Sequence, residues 1–430
     1  MKSTLQLILI SLLFLTYSCK EKKNESQTAG TEKQTEQKIS VVETKDSVVE
    51  KKEVPKHYEH KYVIAKSGLN YRDKPNGKIL GKFPLNTSLR LVEHTKISDT
   101  INDGGKLIVG EWVGVQNWVL KDKETDTVYV FNGFLSNNYI ESDIKLYYTS
   151  SYYREQNGNV RTAFLNVSET YFENAYNENE GRDENSILKD EDLKKDTIRL
   201  NKNQRNKLLK YLNISESDKV FIYSITQDKI KAFHIKDLPA IACYNIYGSF
   251  EDYGNIETDY EFGFDLGKKI NESDWSDNLT FIGKENPFEI GELQPIIWKK
   301  IKNNQFPIIN EQNENDDYRV SYKFETNEYN YFLQKASKSN LCNHLVIIDK
   351  ESNSEVFNKL YCYSEGTSPT EIITDSDKNE KNHQSQWTGK LFKDKPSIIF
   401  GFQYFSFGCE SINFITETEP SIEILCDNRH

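Results

Sequence analysis

The sequence has 430 residues and a formal net charge of −11. Such an acidic chain is a poor partner for nucleic acid, because it offers no excess of Lys and Arg to neutralise phosphates. The apolar run Leu5–Leu15 is too short to span a bilayer, and no later run approaches the ~20 residues that a spanning helix needs. The length allows two or three domains, and an aromatic content of 12% is enough for sizeable cores.

The N-terminus carries the pattern of a secretory signal that ends in a cysteine. Lys2 supplies the positive charge, Leu5–Leu15 the apolar segment, and Ser18 the small residue before Cys19. This pattern resembles the signal of bacterial lipoproteins. The resemblance implies that residues 1–18 are removed and that Cys19 carries lipid on its thiol and amine, which would hold the protein at a membrane surface outside the cytoplasm. An uncleaved or ordinarily cleaved signal is the alternative.

Residues 19–57 are predicted to form a flexible, mixed-charge tether. From residue 20 to residue 57 there is no Phe, Tyr or Trp, and Lys, Glu, Thr, Ser and Gln dominate. A segment of this composition cannot bury enough apolar surface to offset its ordering entropy. As a random coil it would span roughly 35 Å on average.

Strand-like segments rich in β-branched and aromatic residues follow, and we place the first folded domain at residues 58–142. Short strands with tight turns between them are typical of a small β-barrel. Two polar segments, 95–106 and 121–126, are predicted to be inserted loops. The main predicted strands are Lys61–Ala65, Lys78–Phe83, Ser88–Val92, Glu111–Val115 and Val128–Leu135.

Residues 61–136 resemble a bacterial SH3 domain. Ser67–Arg72 reads Ser-Gly-Leu-Asn-Tyr-Arg, close to the start of that family, which reads small-Gly-Leu-Asn-Val-Arg. Trp112–Val115 matches the family's later Trp-Val-x-Val strand, and Gly133–Leu135 matches its closing segment loosely. The resemblance implies a non-catalytic module that binds cell-wall peptides or partner proteins.

Three aromatic residues of this region are candidate ligand-binding residues: Tyr71, Trp112 and Phe134. Aromatic rings near loops offer flat faces to a peptide. The alternative is that these side chains fill the core of the barrel.

The larger region, 143–430, is predicted to be mainly antiparallel β or α+β, as one domain or two subdomains. The pattern over Asn201–Leu212 predicts a helix, with Asn201 as its cap. The fold class of the whole chain is therefore mainly β, with a small SH3-like barrel followed by a larger β-rich domain. The main predicted strands are Val220–Ile225, Lys231–Ile235, Tyr260–Leu266, Arg319–Phe324, His344–Asp349, Val356–Cys362, Ser397–Tyr404, Ile412–Ile415 and Ile422–Cys426.

The spacing of four cysteines predicts two disulfides. Cys342 and Cys362 are centred on residue 352, inside a predicted turn, so a hairpin would place them opposite each other. Cys409 and Cys426 are centred between Glu417 and Thr418, inside the predicted turn Thr416–Glu419. Opposed residues on antiparallel strands lie close enough for a disulfide, and an exported chain meets oxidising conditions.

No complete catalytic or metal-binding signature is found. Ser406–Ser411 contains the Ser-x-Gly-Cys core of the wall transpeptidases, but Ser411 replaces their Arg and no upstream His-Gly exists. Cys243 lies in an apolar segment typical of an inert buried thiol, without the flanks of a wall-peptidase nucleophile. The His residues form no His-x-His or His-x-x-x-His pair, and Cys-x-x-Cys is absent. We therefore assign no catalytic residue, metal site or cofactor.

Together these patterns predict a lipid-anchored, non-catalytic lipoprotein of the cell envelope, on the periplasmic face or the cell surface. Its membrane contact is the lipid, and its expected partner is a peptidoglycan peptide or an envelope protein, not nucleic acid. Two alternatives stay open. The chain could be an envelope enzyme with an unrecognised site in 145–430, or the barrel could only support the larger domain.

Overall fold

The predicted signal at 1–18, Cys19 and the tether lie outside the residues that the structure describes. The described part is mainly β-structure, as the sequence predicts. The computed structural model describes residues 59–426 except 117–126, 155–159, 169–175, 178–180, 183–185, 190, 193–194, 196, 245–259, 271–276, 308–318, 336–341, 378–384, 407 and 417.

The described residues between His60 and Ser136 form a seven-stranded antiparallel sheet in the order β3-β2-β6-β5-β4-β1-β7. Val63, Leu89, Val113 and Val130 lie at the centre of its core and have no exposed surface. The strands are β1 (His60–Val63), β2 (Leu69–Arg72), β3 (Ile79–Phe83), β4 (Ser88–Asp103), β5 (Lys106–Gln116), β6 (Val128–Phe131) and β7 (Leu135–Ser136). This stretch is therefore β-structure, as the sequence predicts, while the domain bounds 58–142 and membership in the SH3 family stay predictions.

The polar segment 95–106 is not a loop, so that prediction was wrong. β4 continues to Asp103, and β5 begins at Lys106 after a two-residue turn. Both turn residues, Gly104 and Gly105, have positive φ angles of 57° and 90°, which suit a tight hairpin turn. The two glycines therefore allow a tight hairpin, and the polar residues on either side of them form paired strands. The other predicted loop, 121–126, lies outside the described residues.

The larger region contains three main sheets and helix α1 (Lys202–Leu212). The sheets are built from short strands, as the sequence predicts. The strands are β8 (Leu146–Tyr147), β9 (Thr149–Arg154), β10 (Val160–Asn166), β11 (Tyr176–Asn177), β12 (Gly181–Arg182), β13 (Thr197–Arg199), β14 (Lys219–Ser224), β15 (Lys229–His234), β16 (Ala240–Tyr244), β17 (Tyr260–Gly267), β18 (Asn278–Gly283), β19 (Leu293–Pro295), β20 (Lys299–Ile301), β21 (Val320–Glu325), β22 (Tyr329–Lys335), β23 (Cys342–Asp349), β24 (Glu355–Cys362), β25 (Thr367–Pro369), β26 (Trp387–Gly389), β27 (Ile398–Phe400), β28 (Gln403–Phe405), β29 (Ser411–Phe414) and β30 (Ile422–Leu425).

A nine-stranded sheet in the order β15-β14-β18-β8-β30-β29-β27-β26-β19 organises this region. Near its middle, β8 and β30 pair in parallel, with Leu146 opposite Ile424. The other pairings in this sheet are antiparallel within the described residues. The sheet therefore joins segments that are far apart in the sequence into one layer.

Both faces of this sheet are buried, and alternation along β14 shows how. Val220 and Ile222 point into a first core, which is shared with α1 and the five-stranded sheet β13-β16-β17-β10-β9. Phe221 and Tyr223 point into a second core, on the opposite face. A strand that is buried on both faces has a continuous apolar sequence. For this reason β14 could be predicted from the sequence.

A third core lies between the nine-stranded sheet and the sheet β20-β21-β22-β23-β24. Ile399 of β27 and Leu345 of β23 both belong to it and have no exposed surface. The Tyr331 hydroxyl on β22 lies 2.8 Å from the Thr388 hydroxyl on β26. The two sheets are thus joined by buried apolar packing and a buried polar contact.

Helix α1 confirms the predicted helix and its cap. The Asn201 side chain accepts hydrogen bonds from the backbone N–H groups of Asn203 and Gln204, and the Gln204 side chain accepts one from the Asn201 N–H. This reciprocal capping box satisfies N–H groups that a helix start leaves open. Leu208 and Leu209 on the buried face pack into the first core.

Arg205 of α1 fixes the helix to its surroundings. Its Nε and Nη2 donate to the two carboxylate oxygens of Glu216, both at 2.7 Å, and its side chain also donates to the carbonyls of Leu238 and Ile235. The Arg205 guanidinium lowers the pKa of Glu216 from its ordinary value. Glu216 therefore stabilises the fold above the carboxyl pKa of the unfolded chain, and this contribution is lost as the pH falls through the lower folded pKa.

We expect Glu216→Gln to destabilise the protein at pH 7 by about 1 kcal/mol, since the paired carboxylate is partly exposed to solvent. The difference from the wild type should shrink as the pH is lowered towards 3. Urea unfolding at several pH values measures it, with the exposed Glu365→Gln as the control. A difference that does not depend on pH would contradict the role of the ionised carboxylate.

Candidate functional site

Trp112, one of the three predicted ligand-binding aromatics, is buried. Its side chain is only 3% exposed. The Phe131 ring lies 5.8 Å from its ring, and the Arg72 guanidinium carbon lies 5.5 Å from the ring centre. Its indole Nε1 is 3.5 Å from an oxygen of Asp99. Trp112 is thus buried between Phe131 and Arg72, outside the apolar core that includes Val113, and its role in ligand binding stays a prediction.

Tyr71 and Phe134 are half-buried at the edge of the same core. The Tyr71 ring packs against Phe83 at 4.5 Å between ring centres, while Phe134 meets Phe131 edge-on at 6.2 Å. Each therefore keeps part of its surface open and stays a candidate for ligand contact.

A larger concave site lies elsewhere, at one end of the third core. It is an open groove of about 520 Å³. One wall is the sheet β20-β21-β22-β23-β24, which contributes Tyr322, Lys335 and Asn343. Lys335 and Asn343 are directly opposed across β22 and β23. The disulfide between Cys342 and Cys362 joins β23 and β24 of the same sheet.

The second wall is the segment Ser368–Ile373, which a buried hydrogen-bond network holds in place. The indole Nε1 of Trp298 donates to the side-chain oxygen of Gln386 at 2.6 Å. The Gln386 amide donates to the Thr370 hydroxyl at 2.9 Å, and that hydroxyl donates to the Gly401 carbonyl at 2.7 Å. Trp298 is fully buried, so this wall rests on a rigid base.

The groove presents both signs of charge and two tyrosines. Hydrogen bonds from the Thr374 hydroxyl and backbone N–H lower the pKa of Asp377, so this carboxylate is ionised at neutral pH. Burial, together with the nearby Asp377 charge, raises the pKa of Tyr322, which is therefore a neutral hydroxyl. Lys335 adds a cation, and Tyr363 is 63% exposed. These groups suit a polar, mixed-charge ligand.

Sequence reasoning missed this groove because its residues come from segments that are far apart in the chain. Tyr322 and Tyr363, for example, are separated in the chain by the three strands β22, β23 and β24. The spacing of Cys342 and Cys362 was the feature of the sequence that predicted a contact beside this groove.

Both predicted disulfides are present: Cys342–Cys362 and Cys409–Cys426. Cys342 is directly opposite Cys362, as the turn-centre argument requires. Cys409 lies two residues before β29. If the pairing of Ser411 with Glu423 continued by two residues, Cys409 would lie opposite residue 425 and not opposite Cys426. The second pair thus forms just beyond the ladder, one residue out of register.

The disulfide removes Cys409 as a candidate nucleophile, because its thiol is consumed in the bond with Cys426. The Ser-x-Gly-Cys resemblance therefore has no reactive thiol behind it. Cys243 is 3% exposed, and its thiol lies 3.8 Å from the Glu261 carbonyl oxygen.

Among the described residues, no group of three or more His, Cys, Asp or Glu side chains could hold a metal ion. None of the helices in the described ranges has the length and apolar character needed to cross a membrane.

These features define a mainly β protein with two disulfides and a mixed-charge groove. The disulfides indicate an oxidising environment outside the cytoplasm. Comparisons with protein-family models, with curated proteins and with solved structures each find no match.

Proposed function

We propose that this protein is a non-catalytic binding protein of the bacterial cell envelope, anchored by lipid on Cys19, whose groove in the larger domain holds a peptide. The signal-like pattern before Cys19 supports the anchor, and the disulfides support a place outside the cytoplasm. The tether at 19–57 would let the folded part reach away from the membrane surface.

The observation that carries the proposal is the composition of the groove. Lys335 can pair with a carboxylate of the ligand, while Glu371 and Asp377 can pair with an amine. Tyr322 and Tyr363 supply ring faces and hydroxyl groups beside these charges. A peptide with free amines and carboxylates, such as the stem peptides of the cell wall, matches this arrangement.

The small N-terminal sheet would add a second contact surface through the half-buried Tyr71 and Phe134. Its contribution is separable from that of the groove, because the two surfaces lie on different cores. Variants in one surface should therefore leave the other intact.

We expect the chain from residue 19 to 430, without lipid, to sediment with purified cell-wall sacculi in a saturable way and to bind soluble wall peptides in calorimetry. The double variant Lys335→Glu/Tyr363→Ala should weaken binding at least about tenfold, because it reverses one charge and removes one ring. Both side chains are exposed, so the fold should tolerate the change.

Lys202→Glu/Tyr211→Ala is the matched control. It makes the same chemical changes on the exposed face of α1, which packs on the first core and not on the third. If the groove variant binds like the wild type and Tyr71→Ala or Phe134→Ala does not, the site is the small sheet. If no variant matters and sacculi do not retain the protein, the wall-peptide proposal fails. Cleavage of the peptide during incubation, seen by mass spectrometry, would contradict the non-catalytic assignment.

A further inference from the structure

We propose that the protein has a second binding site, for a small aliphatic carboxylate, in a cavity at the edge of the first core. The cavity measures about 300 Å³ and opens beside β14, β15 and β18. This site lies on a different core from the groove and does not depend on the function proposed for it.

Two buried polar side-chain atoms without hydrogen-bond partners point to a ligand. Ser224 on β14 and Asn278 on β18 are directly opposite each other in the sheet, and both line the cavity. The Ser224 Oγ and the Asn278 Nδ2 are buried and make no hydrogen bond with any residue that the structure describes. Asn278 is only 9% exposed. Buried polar atoms are almost always satisfied, so an acceptor is expected between them.

Most of the remaining wall is apolar. Ile222 and Ile270 belong to the first core and are at most 4% exposed. Ile290, the polar Gln227 and Ile230, which packs against the second core, also line the cavity. Branched aliphatic side chains of this kind pack well against a hydrocarbon chain. The volume is at the lower end of that of ligand pockets, which favours a short chain over a long lipid.

The mouth of the cavity is positively charged, although the protein as a whole is acidic. Two lysines of β15 face β14 at this point. Lys229 lies opposite Ser224, and Lys231 lies opposite Ile222. The Lys231 ammonium also donates to the Lys269 carbonyl at 3.2 Å. No Asp or Glu is among the described residues that line the cavity. The charge at the mouth therefore selects an anion.

An aliphatic carboxylate satisfies all three features at once. Its oxygens can accept from the Asn278 amide and the Ser224 hydroxyl, with the charge facing Lys229. Its hydrocarbon chain would occupy the space between the isoleucines. A neutral alcohol of the same length would fill the apolar part but would not use the lysines.

The test is titration of the chain from residue 19 to 430 with hexanoate, with hexan-1-ol as the neutral probe and acetate as the short one. Isoleucine methyl NMR reports binding, and the signals of Ile222 and Ile270 should shift saturably with hexanoate. We expect hexanoate to bind at least tenfold more tightly than hexanol or acetate. Equal binding of hexanoate and hexanol would overturn the carboxylate assignment.

Two variants locate the site. Asn278→Leu keeps the size of the side chain but removes the amide, and should weaken hexanoate binding at least tenfold. Lys229→Glu, on an exposed position, should abolish the preference for hexanoate over hexanol, whereas Lys236→Glu, outside the cavity, should not. The proposal is wrong if hexanoate produces no saturable shift at millimolar concentration, which would mean that water alone occupies the cavity, or if both cavity variants bind like the wild type.

Discussion

Replacing Cys342 and Cys362 together with serine is expected to lower the free energy of unfolding by about 3 kcal/mol, since the disulfide closes a loop with a sequence separation of 20. Cross-linking restricts the unfolded chain far more than the folded hairpin, in which the two residues are already opposite each other. Urea unfolding under oxidising conditions, followed by tryptophan fluorescence, measures the loss as a lower midpoint.

The other disulfide provides a matched comparison. Cys409→Ser/Cys426→Ser breaks a loop of similar size, with a sequence separation of 17, and should cost a similar amount. Only the Cys342/Cys362 variant should also weaken binding in the groove, because Cys342 lines it. An unchanged midpoint in the Cys342/Cys362 variant, or four free thiols at these positions by mass spectrometry, would contradict the presence of these bonds in the native protein.

Local signals in the sequence were sufficient for the elements whose residues are close together in the chain. The helix at Lys202–Leu212 follows from Asn201, Gln204 and the leucines of one face. The disulfide between Cys342 and Cys362 follows from a turn placed midway between them. In each case the deciding interaction spans about 20 residues or fewer, so pattern and spacing contain the necessary information.

Breaks inside apolar runs were harder to predict. The run Ser397–Tyr404 reads as one strand, but the structure divides it into β27 and β28, which belong to different sheets. Gly401 lies at the break with a φ of +78°, and an added Cβ would clash with the Ser385 carbonyl oxygen. A glycine within a strand pattern indicates a bend or a close backbone approach, but the sequence does not say which.

The groove and the cavity could not be predicted, because both depend on contacts between distant segments. Ser224 and Asn278 look like ordinary polar residues at the ends of strands. They become informative only when the pairing of β14 with β18 sets them opposite each other in a buried position. Sheet order, which brings Leu146 beside Ile424, was likewise beyond the reach of composition and periodicity.

Trp298→Ala is expected to be among the most damaging single substitutions in the region 143–430, with a loss of about 3–5 kcal/mol. The side chain has no exposed surface and packs in the third core, with the Phe324 ring edge-on at 6.4 Å. Removing the ring leaves a cavity and also leaves the Gln386 oxygen without its donor. Thermal or urea unfolding measures the loss.

The more conservative Trp298→Phe separates the two causes. It keeps much of the apolar volume but removes the indole N–H, so we expect a loss of about 1–3 kcal/mol from the unsatisfied, buried Gln386 oxygen. Because Gln386 also donates to Thr370, the variant should weaken groove binding through the Ser368–Ile373 wall.

Adding Gln386→Leu to Trp298→Phe completes a double-mutant cycle. The double variant should be more stable than the sum of the two single losses predicts, since it removes both members of the buried hydrogen bond at once. Strict additivity would show that the two side chains act independently. The network would then not be what supports the groove wall, and reduced peptide binding by Trp298→Phe would need another cause.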